Sequence, residues 1–129
     1  MSKAINSIEA IAKLYPLLFS QKRLDEWFNL FDERAMIVRV EDGQPVTCQN
    51  INDAMPEQLE YADENDYFKE TWENIEIYRY GNIGLIKASY TLAVDTETRK
   101  GIDVLTVCQD GEEWRITSLT YEQTEYIRK

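Results

Sequence analysis

A chain of 129 residues with 24 aspartates and glutamates against 14 lysines and arginines carries a formal charge of −10, which repels a nucleic-acid backbone over most of its surface. Its 43% hydrophobic and 12% aromatic content suits one globular domain over 1–129 that buries a core without covalent staples. With no histidine, Ser-His-Asp and Cys-His nucleophiles, His-ligated zinc and imidazole proton shuttles are excluded, so any catalysis falls to carboxylates, tyrosines, lysines or arginines.

The opening MSKAINSIEA lacks the charged-then-apolar build of a secretion signal, and no run nears the ~18–20 apolar residues of a membrane span. A cytoplasmic protein without a membrane partner is expected. Ile5, Ile8, Ala12, Tyr15, Leu18 and Phe19 recur at helical spacing, predicting an amphipathic helix with Ser7 as a cap of its main body and a kink at Pro16. Leu24, Trp27, Phe28 and Phe31 make the stripe of a second, short helix. RAMIVRV is then extended and turns at Asp42-Gly43 into VTC, a hairpin signal. A third helix is expected over 50–66, capped by Asn52 or Asp53, with Pro56 in its first turn. Its acids Glu57, Glu60, Asp63, Glu64 and Asp66 read as a solvated face, because YADENDYF lacks the ligand spacing and glycine of a calcium loop. Cys48 and Cys108 lie far apart without metal spacing and read as free thiols. No motif calls for a cofactor or a metal.

From Tyr67 the chain predicts strands at 67–80, 83–94, 101–109 and 113–124, broken at Gly81-Asn82, DTETRKG and Asp110-Gly111. Helices first and an antiparallel meander after them make an α+β fold, with the helices covering one face of a curved sheet. A two-residue turn at Asp110-Gly111 sets Val107 against Trp114, Leu105 against Ile116 and Asp103 against Ser118, all on the core face. The Gly81-Asn82 turn sets Ile77 against Ile86, Ile75 against Ala88 and Glu73 against Tyr90 on that same face, and Glu76 against Lys87 on the other. Matching inward faces across DTETRK places Leu92 opposite Asp103. The inner face then runs from a dry end at Trp114 and Ile116 to a wetter end with Asp103, Ser118, Thr120 and Tyr90, where a small-molecule cavity is expected. The outer face, with Ile102, Val104, Thr106, Leu119 and Tyr121, is apolar enough to predict a homodimer surface.

The first helix, the passage RLDEWFNLFDERAMIVRV and the closing QDGEEWRITSLTYEQ hairpin together resemble the nuclear transport factor 2-like superfamily over nearly the whole chain. The resemblance implies a cone-shaped, cystatin-like roll around the first helix. It does not name a reaction, because that superfamily holds isomerases, dehydratases, polyketide cyclases, epoxide hydrolases and non-catalytic transport or association domains. Its ketosteroid-isomerase branch uses a first-helix tyrosine and a protonated aspartate of the penultimate strand as oxyanion donors, with a carboxylate base after the second helix. Tyr15 and Asp103 are similar to the two donors. Arg39 stands where the base is expected, and a guanidinium cannot take up a carbon-bound proton.

The functional expectation is that Tyr15, Arg39, Tyr90 and Asp103, with Ser118 beside them, converge on a cavity for a small, partly apolar molecule bearing a carbonyl or carboxylate. In an isomerase, cyclase or dehydratase, Asp103 would be the acid or base and Tyr15 the donor to developing negative charge. The competing expectations are a non-catalytic homodimeric interaction module, and a purely structural Asp103 paired with Arg39, Arg99 or Lys100. Lys87, opposite Glu76, is exposed to water and a poor Schiff-base residue.

Overall fold

The computed structural model describes residues 6–129, so the expected helix start at Ile5 lies outside the described residues. Helix α1 (Ile8–Ser20) begins at Ser7, whose hydroxyl accepts from the Ala10 amide at 3.0 Å, the N-cap bond that satisfies an orphan donor of the first turn. Its buried stripe, Ile8, Ile11, Ala12, Tyr15, Leu18 and Phe19, has the three- and four-residue spacing of a single helical face. Helix α2 (Leu24–Phe28) buries Leu24 and Trp27. Phe31, expected to close that stripe, instead opens strand β1 (Phe31–Glu41). A two-residue turn with Asp42 and Gly43 both at positive φ leads to β2 (Gln44–Asn50), as a twist-matched hairpin requires. Helix α3 (Ile51–Asp63) is capped by Asn50, two residues before Asn52 and three before Asp53, the expected caps.

Strands β3 (Phe68–Tyr80), β4 (Ile83–Val94), β5 (Glu97–Asp110) and β6 (Glu113–Arg128) complete a six-stranded sheet ordered β2-β1-β6-β5-β4-β3. All pairs are antiparallel except β1 with β6, which α3 and the later strands make possible by returning the chain to the same edge. The sheet curves round α1, giving the α+β cone expected from the sequence. The break at DTETRKG is only two residues long, Asp95 and Thr96. There the Asp95 carboxylate accepts from the Asp66 and Tyr67 amides, both at 2.7 Å, and ties the end of the α3 segment to the β4–β5 turn.

Three registers differ from the sequence reading, each for a local reason. The last hairpin turns at Gly111-Glu112, with Asp110 opposite Glu113 and Gly111 at φ 65°. This places the glycine first in the turn, where positive φ is required. Val107 therefore faces Ile116, not Trp114. A bulge at Thr117 follows, after which Leu105 faces Leu119 and Asp103 faces Tyr121. The extra residue reverses which side chains point inward, so Leu119 and Tyr121 belong to the inner face and not to the outer one. Ser118 leaves the core face and pairs with Thr106. A second bulge, at Asn74-Ile75, sets Trp72 opposite Tyr90 in place of Glu73 and leaves Ile75 exposed. Asn74 sits there at φ 54°, a conformation asparagine tolerates better than most residues. Finally, Asp103 lies opposite Ala88, and Leu92 opposite Arg99. That slip is an even number of residues, so Asp103 still faces inward.

The dry end is built as expected. Trp114, Ile116, Val107, Leu105 and Ile86 are all buried, and Arg79 covers the Trp114 ring with its guanidinium carbon 5.0 Å from the centroid. On the outer face Lys87 pairs with Glu76 at 3.7 Å. Cys48 is exposed and Cys108 half-buried, and both are free.

Candidate functional site

Reading the register across the sheet gives the inner face as a series of rows. The row Ile37, Leu119, Leu105, Ile86 and Ile77 is wholly apolar. The next is Arg39, Tyr121, Asp103 and Ala88; then come Gln123, Gly101, Tyr90 and Trp72, and then Arg99, Leu92 and Glu70. The change from aliphatic to polar rows coincides with the two small residues Ala88 and Gly101. Between these polar rows and α1 lies a cavity of about 260 Å³. Tyr15, Phe19 and Trp27 roof it, and Ile37, Leu92 and Leu119 supply apolar wall.

Tyr15, Arg39, Tyr90 and Asp103 all line this cavity; Ser118 does not. The bulge at Thr117 is the physical reason, since it rotates Ser118 to the other face and brings Tyr121 into its place. Asp103 is buried at 4% exposure and has no cationic partner among the described residues: Arg99 bonds Glu97 and Gln123, and Arg39 approaches only Glu41, at 3.9 Å. The expected pairing of Asp103 with Arg39, Arg99 or Lys100 is thus replaced by a single hydrogen bond from the Trp72 indole, whose Nε1 donates to Oδ2 at 2.9 Å. Burial raises the Asp103 pKa and the Trp72 bond opposes that rise, leaving it at about 7.

Glu70 is the residue that the sequence reading missed. It is buried on β3, and its backbone is held to the end of α1 by the Ser20 hydroxyl, which accepts from the Glu70 amide at 2.8 Å and donates to its carbonyl at 3.0 Å. Burial, and then the Asp103 carboxyl nearby, push the Glu70 pKa well above the usual carboxylate range. Two carboxyls in one low-dielectric site resist ionising together. The alternation Phe68, Glu70, Trp72 was the available signal, but it points inward only once Asn74 is read as a bulge.

The tyrosines are positioned as donors. Tyr15 stacks on Trp72 with centroids 4.6 Å apart, and its hydroxyl pKa is raised well above normal by burial and then by Asp103 and Glu70. Tyr90 and Tyr121 are raised as well, chiefly by burial, although Arg39 and Arg99 oppose the shift at Tyr121. All three keep their protons at neutral pH and can donate to an oxygen that gains charge. Three buried side-chain atoms among the described residues have no hydrogen-bond partner: Trp27 Nε1, Arg39 Nε and Glu70 Oε2. Every one belongs to a residue lining this cavity.

Neither a protein-family profile nor a curated protein sequence matches the chain. Solved structures do. A candidate scytalone dehydratase of Novosphingobium aromaticivorans superposes with a TM-score of 0.79 at 15% identity, over 95% of this chain and 85% of that one. The beta subunit of a candidate aromatic-ring-hydroxylating dioxygenase from the same organism gives 0.73 at 19% identity, over 92% and 87%. A candidate dehydratase of the nuclear transport factor 2-like family from Streptomyces avermitilis gives 0.72 at 7% identity, over 94% and 96%. The chain has the nuclear transport factor 2-like fold. No helix among the described residues is long and apolar enough to cross a membrane.

Proposed function

We propose that the cavity binds a small, partly apolar molecule carrying a hydroxyl or carbonyl group, and that Asp103 and Glu70 transfer a proton to or from it. The observation that carries this is that all three unpartnered buried polar atoms belong to residues lining one cavity. Buried donors and acceptors cost roughly 1–3 kcal/mol each when unpaired, so a polar guest recovers what the folded chain forgoes. The chemistry follows from the acids. A carboxyl titrating near neutrality is matched to general acid–base work, and Tyr15 and Tyr90 donate where negative charge develops on the guest. Dehydration, isomerisation and cyclisation each need such a proton donor and acceptor across one small molecule. The two dehydratase-named neighbours share the fold and add to this reading by analogy only.

Phenol, with one apolar ring and one hydroxyl, is a suitable probe. Its addition should shift the NMR resonances of Tyr15, Trp27, Tyr90 and Tyr121 together and leave the Trp114 end unmoved. Shifts scattered over the surface, or none, would sink the binding reading. For the acid–base step, the ¹³C titration midpoint of Asp103 decides: a value near 4, as in water, removes the reason to invoke proton transfer.

A second reading, a homodimer through the outer sheet face, is favoured by Tyr78, Tyr80 and Ile83, all well exposed, beside half-buried Ile102 and Val104. It is compatible with the first. Sedimentation should then give a dimer that Val104→Lys converts to monomer, and a monomeric wild-type chain would end this second reading.

A further inference from the structure

The cavity is polar at both depths, and the two depths have opposite character. Its floor holds Asp103 and Glu70, at 4% and 9% exposure, both pushed by burial toward their neutral forms. Toward solvent stand two arginines, Arg39 and Arg99, whose side chains are 38% and 36% exposed. They are not equivalent. Arg99 is committed: it makes two bonds to Glu97 at 3.2 Å, approaches Gln123 at 3.4 Å, and lies over the rings of Tyr61 and Tyr126. Arg39 has only Glu41 at 3.9 Å, beyond hydrogen-bond reach, and its Nε–H is buried without a partner. It sits one strand from Tyr121 and two strands from Asp103 in the same row of the sheet.

An unsaturated guanidinium on the wall of an apolar cavity is a carboxylate receptor, because its parallel N–H groups match the two oxygens of an acid. From this arrangement we infer that the guest is an organic acid. It enters with its reacting hydroxyl or carbonyl end toward Asp103 and Glu70, while its carboxylate stays at the rim on Arg39, flanked by the Tyr121 hydroxyl. The two ends of the cavity then fix the orientation. A carboxylate placed at the floor would face Asp103 and Glu70, whereas at the rim it meets Arg39, whose ion pair with Glu41 spans 3.9 Å, with Glu57 as the acid lining the cavity nearby. The chain's charge of −10 opposes long-range attraction of an anion, so the selection rests on this local contact. The inference depends on the cavity being the binding site and adds the class of molecule that fills it.

The test compares 4-hydroxybenzoate with its neutral amide, 4-hydroxybenzamide, by NMR titration at about pH 6.5, where the acid is ionised. The wild-type protein should bind the acid about ten- to a hundredfold more tightly than the amide, the range of a charge-assisted hydrogen bond. Arg39→Gln should erase that preference and leave amide binding within about twofold, and Arg39→Lys should restore part of it. Equal binding of acid and amide by wild type overturns the inference and leaves the cavity reading standing. So does a preference that survives Arg39→Gln. If neither compound shifts the cavity resonances, the binding site itself is wrong and the inference falls with it. Should Arg39→Gln not fold, the wild-type comparison and Arg39→Lys still decide.

Discussion

Asp103→Asn should make the protein more stable above pH 7, not less. The sign follows from proton counting. The folded chain holds the Asp103 proton up to about pH 7, whereas the unfolded chain releases it near 3.8. Between those values the folded state binds more protons, so stability falls as pH rises, at up to about 1.4 kcal/mol per pH unit. Above about pH 7 the penalty is fully present: a charge sits in the cavity floor with one indole N–H as its hydrogen-bond donor. Asparagine stays neutral, and its carbonyl can still accept from Trp72, so about 2–4 kcal/mol should be recovered at pH 8. Glu70 shifts the balance the same way, because removing its acidic neighbour lowers the cost of its own ionisation. Urea denaturation at pH 5 and pH 8 checks this. The variant should match or trail the wild type at pH 5 and exceed it clearly at pH 8. Equal destabilisation at both pH values would mean that Asp103 is an ion-pair residue with a cationic partner. A stabilising Asp103→Asn that also abolishes turnover is the pattern of a site that sacrifices stability for reactivity.

Much of the fold was legible because its signals are local. The Ile8–Phe19 stripe, the Asp42-Gly43 and Gly81-Asn82 turns and the alternating strands each need only a few neighbouring residues to be read. Asp103 and Tyr15 reached the cavity because both errors in the Asp103 pairing, the shifted Gly111-Glu112 turn and the long reading of DTETRK, moved registers by even numbers of residues. The strand bulges are different. A bulge moves by one, and the side chains beyond it change faces. Asn74 carried a weak sign of its bulge, and reading it would have placed Glu70 and Trp72 inward. Thr117 carried none: neither glycine nor asparagine marks it, and only the packing of Leu119 and Tyr121 under α1 selects it. Ser118 was placed on the core face, and Leu119 and Tyr121 on the outer one, for that single reason. The absence of an Asp103 ion pair was likewise illegible, since Arg39 and Arg99 are close in the sheet and only their own partners show that neither turns toward the acid.

Gly101→Ala should be the most damaging single-atom change near the cavity, with a loss of about 3 kcal/mol or more and a fall in melting temperature on the order of 10 °C. The cause is space, not backbone conformation. An added methyl at Gly101 would overlap the Glu122 carbonyl oxygen of the neighbouring strand, while standing 2.7 Å from Tyr90 Cε2 and 2.8 Å from its hydroxyl. A side chain can rotate away from such a contact, but a carbonyl in a sheet can do so only by opening the β5–β6 ladder. Gly84→Ala is the natural comparison. There the new methyl meets Ile8 Cδ1 at 2.5 Å and Val107 Cγ2 at 2.7 Å, the ends of side chains that can yield, so its cost should be distinctly smaller. If the two variants lose equal stability by urea denaturation, crowding against the backbone is not what matters at Gly101. The consequence for function is separate and measurable on whatever fraction folds in the cold. Tyr90 has to leave its place over Gly101, and the cavity is the open space beside it, so the ring moves to where a guest would lie. Phenol binding should then be lost in Gly101→Ala and kept in Gly84→Ala, which separates the glycine packed beneath the cavity residue Tyr90 from the one packed against Ile8 of the first helix.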